Sequence, residues 1–403
     1  MTGMGEAQQV GIIGAGTMGA GIAQVAAAYG WTVWLLDVST DVAETACGDV
    51  RARFDRLVAK ERMTAEERDA ASARLHVVRR PAEFAECELV IEAIIERLDI
   101  KANALIEVLG VVDEEAMIAT NTSSLSITEL AESIDAPTRT VGMHFFNPAP
   151  LMQLVEVIAG RSTDRVVVDR VADIATSWGK RVARSADVPG FIVNHVARPY
   201  YLEAFRVLDD RLAGVEEIDD VMRRIGGFRM GPFELTDLIG QDVNATTTRS
   251  VWTQLNEPPL LTPSPLQESL VEQGHLGKKS GRGAYDYSGD EPVPAIDITP
   301  TPVTMGAELE RAVEEFVANA EVDAGNLHDS YVFGRIVCAI FVQAIFAEHR
   351  GVASSDDIDT ALRFGVNYPR GPFEWMNAIG VDRVDALRVE LNRSASDHRF
   401  RLP

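Results

Sequence analysis

Two groups of residues in this 403-residue chain have the types and spacing that chemistry requires. The first is His144, in TVGMHFFNPAP, and Glu156, twelve residues on in LVEVIAG. Both interrupt apolar, strand-like stretches, and a carboxylate in such a strand is costly to bury without a partner. A strand, a proline-containing turn and a returning strand would bring the two together. A carboxylate-held imidazole is a general-base arrangement, since the carboxylate sets the tautomer and stabilises the imidazolium. The chain has seven histidines, and spacing alone does not separate His144 from an incidental core histidine. The second group is Gly14, Gly16 and Gly19, with Thr17 and Met18 between them, in VGIIGAGTMGAGIAQ. Here Gly14 permits a tight turn, Gly16 lets the backbone approach a pyrophosphate, and Gly19 lets helix and strand pack closely. The N-terminus of the Ala-rich helix that follows offers unpaired N–H groups to the phosphates. A second strand ends in Asp37, which can accept hydrogen bonds from ribose hydroxyls and would repel a 2′-phosphate. NAD is therefore favoured over NADP, while the motif alone also admits FAD.

Positioning these groups takes a sheet. VGII (10–13), TVWLLD (32–37), LVIEAI (89–94), MIATNTS (117–123), TVGMHFF (140–146) and LVEVIA (154–159) read as short strands, with helical patterns between several of them. That alternation predicts a mostly parallel, doubly wound Rossmann-type α/β domain over residues 1–187. From 188 the pattern becomes helical, giving an all-α domain over 188–288. GDEPVPAIDITPTPVT holds four prolines and reads as a linker, 289–305. Beyond it, 356–380 aligns without gaps to 216–240, with nine of 25 positions identical and the GPFE block whole. Upstream, FIVNHV (191–196) matches RIVCAI (335–340). Residues 306–403 therefore read as a second, diverged helical domain related to the first as a repeat.

The formal net charge of −23 disfavours nucleic acid and anionic membranes as partners. An anionic ligand would need a locally basic site. Arg51, Arg53, Arg56, Lys60 and Arg62 offer one, with a solvated helix face as the alternative. Cys47, Cys87 and Cys338 are far apart and lack CxxC spacing, so buried free thiols are expected and no metal site. No apolar run is expected to reach the ~18–20 residues of a membrane span, and the first residues lack a secretory pattern, so a cytoplasmic location is expected.

NTSSLSITEL, GMHFFNPAPLMQLVEVI, VPGFIVN, GPFEL and GKKSGRGAYDY follow GAGTMGAGIA in that order. Together, over roughly residues 8–288, they resemble the L-3-hydroxyacyl-CoA dehydrogenase family. The resemblance implies NAD-dependent interconversion of (S)-3-hydroxyacyl-CoA and 3-oxoacyl-CoA, with His144 as the base and Glu156 orienting it. It makes Ser123 and Asn194 the polar groups that hold the reacting oxygen and the thioester end. Such donors suit an oxygen that gains negative character. Glu96, Lys101, Asn147 and Lys279 match cofactor-site residues, and Arg53 and Lys60 match a CoA-contacting helix. The chain departs from the family at His195, where arginine is usual, and the role of His195 is open. In the second helical copy Cys338 stands where the first has Asn194, which implies that this copy is catalytically silent. The repeat predicts a monomer with an internal pseudo-dimer of helical domains, or a homodimer.

Two other readings compete. An NAD-dependent dehydrogenase of a non-CoA hydroxy acid, similar to L-gulonate 3-dehydrogenase, shares much of this motif set. A non-enzymatic NAD-binding sensor would have no use for Ser123, His144, Glu156 and Asn194 together.

Overall fold

The computed structural model describes residues 8–301, 304–322 and 325–403. The chain divides into two compact units, Met1–Phe191 and Ile192–Pro403.

The first unit carries an eight-stranded sheet: β1 (Gln9–Ile13), β2 (Thr32–Leu36), β3 (Leu75–Val78), β4 (Leu89–Glu92), β5 (Met117–Thr120), β6 (Thr140–Phe145), β7 (Leu154–Ala159) and β8 (Arg181–Ala186). Its order is β3-β2-β1-β4-β5-β6-β7-β8. The first six strands pair in parallel, as crossover helices require. The chain order reverses between β1 and β4, the switch point at which doubly wound sheets bind ligands. Only eight residues join β6 to β7, too few for a crossover, so these two strands run antiparallel. The expected apolar runs form six of the eight strands. The other two, β3 and β8, lie at the sheet edges, where one side is unpaired and the apolar signal is weak. RVARSA carries two arginines, as exposed edges tolerate.

Among the described residues the second unit is helical apart from a two-residue pairing of Tyr285–Asp286 with Val293–Pro294 and isolated bridges of Arg282 to Gly277 and Asp286. Phe191, the last residue of the first unit, packs with Ile127 and Ile158. The two expected helical domains fold as one unit. The long helix Leu327–His349 packs against the helices Val193–Val196, Arg198–Asp209 and Val215–Arg224. By length and composition this helix could cross a membrane, with a mean hydropathy of 1.8, but 89% of its apolar window is buried inside the protein. This corrects the expectation that no run reaches that length: Arg335 breaks the apolar stretch in the sequence, yet the helix as a whole is long and apolar enough. The linker is not a free tether: Ala295 donates its N–H to Ala284 and Thr301 to Arg211.

The GPFE block has a local physical cause. Asp219 accepts the N–H groups of Phe233 and Glu234 at 2.9 Å each, and Asp359 accepts those of Phe373 and Glu374 at 2.8 Å each. A Cβ on Gly231 or Gly371 would collide with the aspartate concerned. Proline follows at the first turn, and Glu234 or Glu374 bonds back to the glycine N–H. Both helices end on a glycine at positive φ, Gly240 at 104° and Gly380 at 98°. The block is thus a helix-start device, used twice.

Candidate active site

The cofactor edge forms at the C-terminal ends of β1, β2 and β4. Gly14 sits at φ +101°, and a Cβ there would stand 2.6 Å from the Ala93 carbonyl oxygen. A Cβ on Gly19 would overlap the Gly14 carbonyl oxygen, so strand and helix meet only because both residues are glycine. Gly16 is exposed with nothing within 4 Å of its Cβ position. It precedes the helix Thr17–Ala28, whose first turn no side chain caps. Those free N–H groups and the open approach fit a dinucleotide pyrophosphate. Asp37, half-buried, has a second task that its position in the motif did not reveal. Its Oδ2 accepts the Ala15 N–H at 2.8 Å and its Oδ1 that of Ser39 at 3.2 Å, so it also clamps the glycine loop.

At the ends of β4 and β5 a second network forms. Glu96 Oε1 accepts from the Thr122 hydroxyl at 2.6 Å, the Ser123 N–H at 2.9 Å and the Ser124 N–H at 3.1 Å. Burial alone would raise its pKa, but the Thr122 hydrogen bond, the Lys101 charge and these N–H groups together hold the carboxyl below its usual range. The exposed Ser123 hydroxyl lies 3.3 Å from the same oxygen. Lys101 is 1% exposed, bound to Glu92 at 2.7 Å and Glu96 at 3.2 Å. It braces the two loops from behind rather than facing a ligand. Glu92, wholly buried and also bound by the Thr120 hydroxyl at 2.7 Å, was absent from the expected set. Its signal was the one that marked Glu156, a carboxylate inside an apolar strand.

His144 and Glu156 lie directly opposite each other in the β6–β7 register. Both are buried, and His144 Nδ1 is 2.6 Å from Glu156 Oε2. Glu156, as an acceptor, draws the proton to Nδ1 and leaves the Nε2 lone pair as the base. Phe146 and Phe191 flank the imidazole, with ring centroids at 4.6 and 5.8 Å. Two residues that sequence reasoning passed over hold this end of β6. Asn121 Oδ1 accepts the Phe145 N–H at 2.8 Å. Lys180 donates to the carbonyls of Ala149 at 2.6 Å and Met152 at 2.8 Å, fixing the turn that follows, and burial lowers its pKa to about 8.

That turn borders a cleft of about 510 Å³, lined by Arg53, Arg56, Lys60 and Arg62 on one side and by Asn147–Leu151 on the other, with Thr17 at one end. Four of the five basic residues are therefore gathered on a concave surface in which Asn147 is exposed, while Arg51 instead donates to the Leu75 carbonyl at 2.9 Å. Arg53 is held at 3.4 Å from Gln24 Oε1.

Asn194 and Lys279 belong to the second unit. Asn194 lies in the short helix Val193–Val196, with His195 buried beside it. Lys279 pairs with Asp242 at 2.5 Å. Cys338 lies inside the helix Leu327–His349 and is wholly buried, and all three cysteines are free and buried. The chain around Asn194 is instead broken into two short helices, with Pro199 opening the second.

Two family models match the chain. One, described as "3-hydroxyacyl-CoA dehydrogenase, NAD binding domain", covers residues 9–188. The other, described as its C-terminal domain, covers 190–287 and 331–403. A 3-hydroxyadipyl-CoA dehydrogenase of Escherichia coli (strain K12) is 37% identical over 98% of this chain and 95% of its own length. A 3-hydroxybutyryl-CoA dehydrogenase of Bradyrhizobium diazoefficiens is 41% identical over 71% of this chain and 98% of its own. Among solved structures, a 3-hydroxybutyryl-CoA dehydrogenase from Escherichia coli K12 superposes with a TM-score of 0.87 at 36% identity, covering 99% of this chain and 97% of that one. The chain belongs to the 3-hydroxyacyl-CoA dehydrogenase family.

Proposed function

We propose that His144 Nε2 takes the proton of the 3-hydroxyl while hydride leaves C3, in the NAD-dependent oxidation of a 3-hydroxyacyl-CoA and its reverse. The buried 2.6 Å pairing of His144 with Glu156 carries this reading. NAD, held by Gly14, Gly16, Thr17, Met18, Gly19 and Asp37, supplies the hydride acceptor. Glu156 keeps the imidazole in one tautomer and balances the imidazolium that forms. Ser123 and Asn194 donate hydrogen bonds to the substrate oxygens, and Glu96 fixes the loop that carries Ser123. Asn147 and Lys279 border the cofactor. Arg53 and Lys60 meet the CoA phosphates. The family assignment favours this acyl-CoA reading over a polyol-acid dehydrogenase.

A 3-hydroxyadipyl-CoA-type substrate is the finer proposal. The relative with that name is 37% identical over 98% of the chain, and this identity supports the proposal. NADH oxidation with acetoacetyl-CoA tests the reaction, and 3-oxoadipyl-CoA beside it tests the substrate. No turnover with either thioester sinks the first claim. A kcat/KM for acetoacetyl-CoA above that for 3-oxoadipyl-CoA sinks the second.

The helical repeat is read as an internal pseudo-dimer. Phe228 and Tyr368 occupy the same position in the two aligned segments and touch each other, with ring centroids 4.9 Å apart. Contact between a residue and its own counterpart marks an isologous, two-fold interface.

A further inference from the structure

Arg198 is the anomaly of the second unit. It is 4% exposed, and among the described residues no carboxylate pairs with it. The buried Arg335 and the half-buried Arg206 and Arg399 of this unit all converge on the buried carboxylate of Glu203. The neighbours of Arg198 are neutral. Its Nη1 reaches the Thr248 hydroxyl at 3.4 Å and the Asn244 carbonyl at 3.5 Å, its Nη2 reaches Asn194 Oδ1 at 3.3 Å, and its guanidinium carbon lies 5.0 Å from the centre of the Tyr201 ring. Burying an unpaired cation is expensive, so a site that keeps one calls for a use.

Asn194 points to that use. Between Phe191 and Phe205 it is the only residue that is not fully buried. Arginine carries donors only, so the amide edge facing it must be the carbonyl oxygen. The Nδ2 hydrogens are then turned the other way, and among the described residues no hydrogen bond from them is seen. We propose that Arg198 is a positioning residue: it fixes the Asn194 amide with both Nδ2 hydrogens toward the acyl thioester and strengthens them as donors. A charged group on one edge of an amide polarises it, and hydrogen bonds in such a chain reinforce each other. The second helical copy takes part in this. The helices Leu327–His349 and Ser355–Gly365 pack on the turn Val193–Val196, and the Arg198 charge is felt at the buried Tyr368. A copy without chemistry of its own thus keeps water from the guanidinium.

The inference rests on the assignment of Asn194 to the substrate, and the test separates the two. Arg198→Met should lower kcat with acetoacetyl-CoA by about 10- to 100-fold, below the ~10²–10³ of losing an oxyanion donor outright. NADH affinity should be unchanged, and Arg198→Lys should recover part of the loss. On an Asn194→Ala background, Arg198→Met should change kcat less than about 2-fold, because Arg198 acts through that amide. Should Arg198→Met fail to fold, Asn194→Asp gives the same answer. It supplies the missing carboxylate, so Tm should rise by a few degrees while activity is lost. A folded Arg198→Met with wild-type kcat, losses that multiply in the double variant, or an Asn194→Asp with lowered Tm would each overturn the proposal. An Asn194→Ala with wild-type kcat would overturn the assignment of Asn194 itself.

Discussion

At the scale of single residues, the chemistry depends on which atoms face which. His144→Gln removes the base but leaves the cofactor edge intact, so kcat should fall by at least ~10²-fold, the lower end for loss of a general base. NADH binding, followed by fluorescence titration, should persist; turnover near wild type would disqualify His144. Glu156→Gln should lower kcat as well, since a neutral amide stabilises the imidazolium less. Asp37 is the residue proposed to select the cofactor. A carboxylate ~4 Å from a 2′-phosphate at an effective dielectric of ~20 costs a few kcal/mol, so kcat/KM with NADH should exceed that with NADPH by at least ~10²-fold. Equal values would remove the electrostatic argument. The same carboxylate clamps Ala15 and Ser39, so Asp37→Ala should weaken NADH binding too.

At the scale of elements, the helix Thr40–Ala59 and the residues after it present Arg53, Arg56, Lys60 and Arg62 to the cleft beside Asn147–Leu151. In a chain of net charge −23, this is where phosphates can be met. Replacing Arg53 and Lys60 together by Glu should raise KM for acetoacetyl-CoA far more than for an acetoacetyl thioester lacking the nucleotide. Equal effects on the two would return the segment to a solvated helix face. Much of this scale was legible in the sequence. Six strands, the glycine turn and the proximity of His144 to Glu156 follow from apolar runs and from one carboxylate placed where carboxylates do not belong. The edge strands β3 and β8 were hidden because a half-paired strand has little need of apolar residues. Glu92 carries the same signal, since it breaks its apolar strand just as Glu156 does.

At the scale of the whole molecule, the two helical segments are held by charge as well as by apolar packing. Glu203 is wholly buried and faces Arg335, Arg206 and Arg399. Burial alone would raise its pKa, but the three guanidiniums pull it down to about 2. A carboxyl with a depressed folded pKa contributes stability that is present above its unfolded pKa and lost as pH falls through the folded value. Thermal stability should therefore decline from about pH 4.5 toward pH 2, the more steeply for this group. Glu203→Gln should cost roughly 3–5 kcal/mol at pH 7, as breaking a buried ion cluster does, and should flatten that decline. An unchanged acid limb in urea unfolding would rule out Glu203 as its source. Deleting 306–403 should expose the face covered by Leu327–His349 and give dimers or aggregates by light scattering, while Cys338→Ala should leave kcat unchanged. A monodisperse monomeric truncation would end the pseudo-dimer reading.

The sequence by itself determined the nucleotide fold, the cofactor loop and the candidate base with its partner, because each is written in local spacing: glycines two and three apart, strands bounded by turns, a carboxylate inside an apolar run. Only the tertiary structure decided what the supporting residues do. Lys101 proves to be a buried brace, Asp37 a clamp on the glycine loop, and Lys180 and Asn121 the fasteners of the loops around His144. It also decided that 192–403 is one unit and that Arg198 lies buried against Asn194 without an acid. Such roles depend on which polar groups meet once the chain is packed. A buried polar group must take a partner from whatever element arrives beside it, and separation along the chain carries no trace of that meeting.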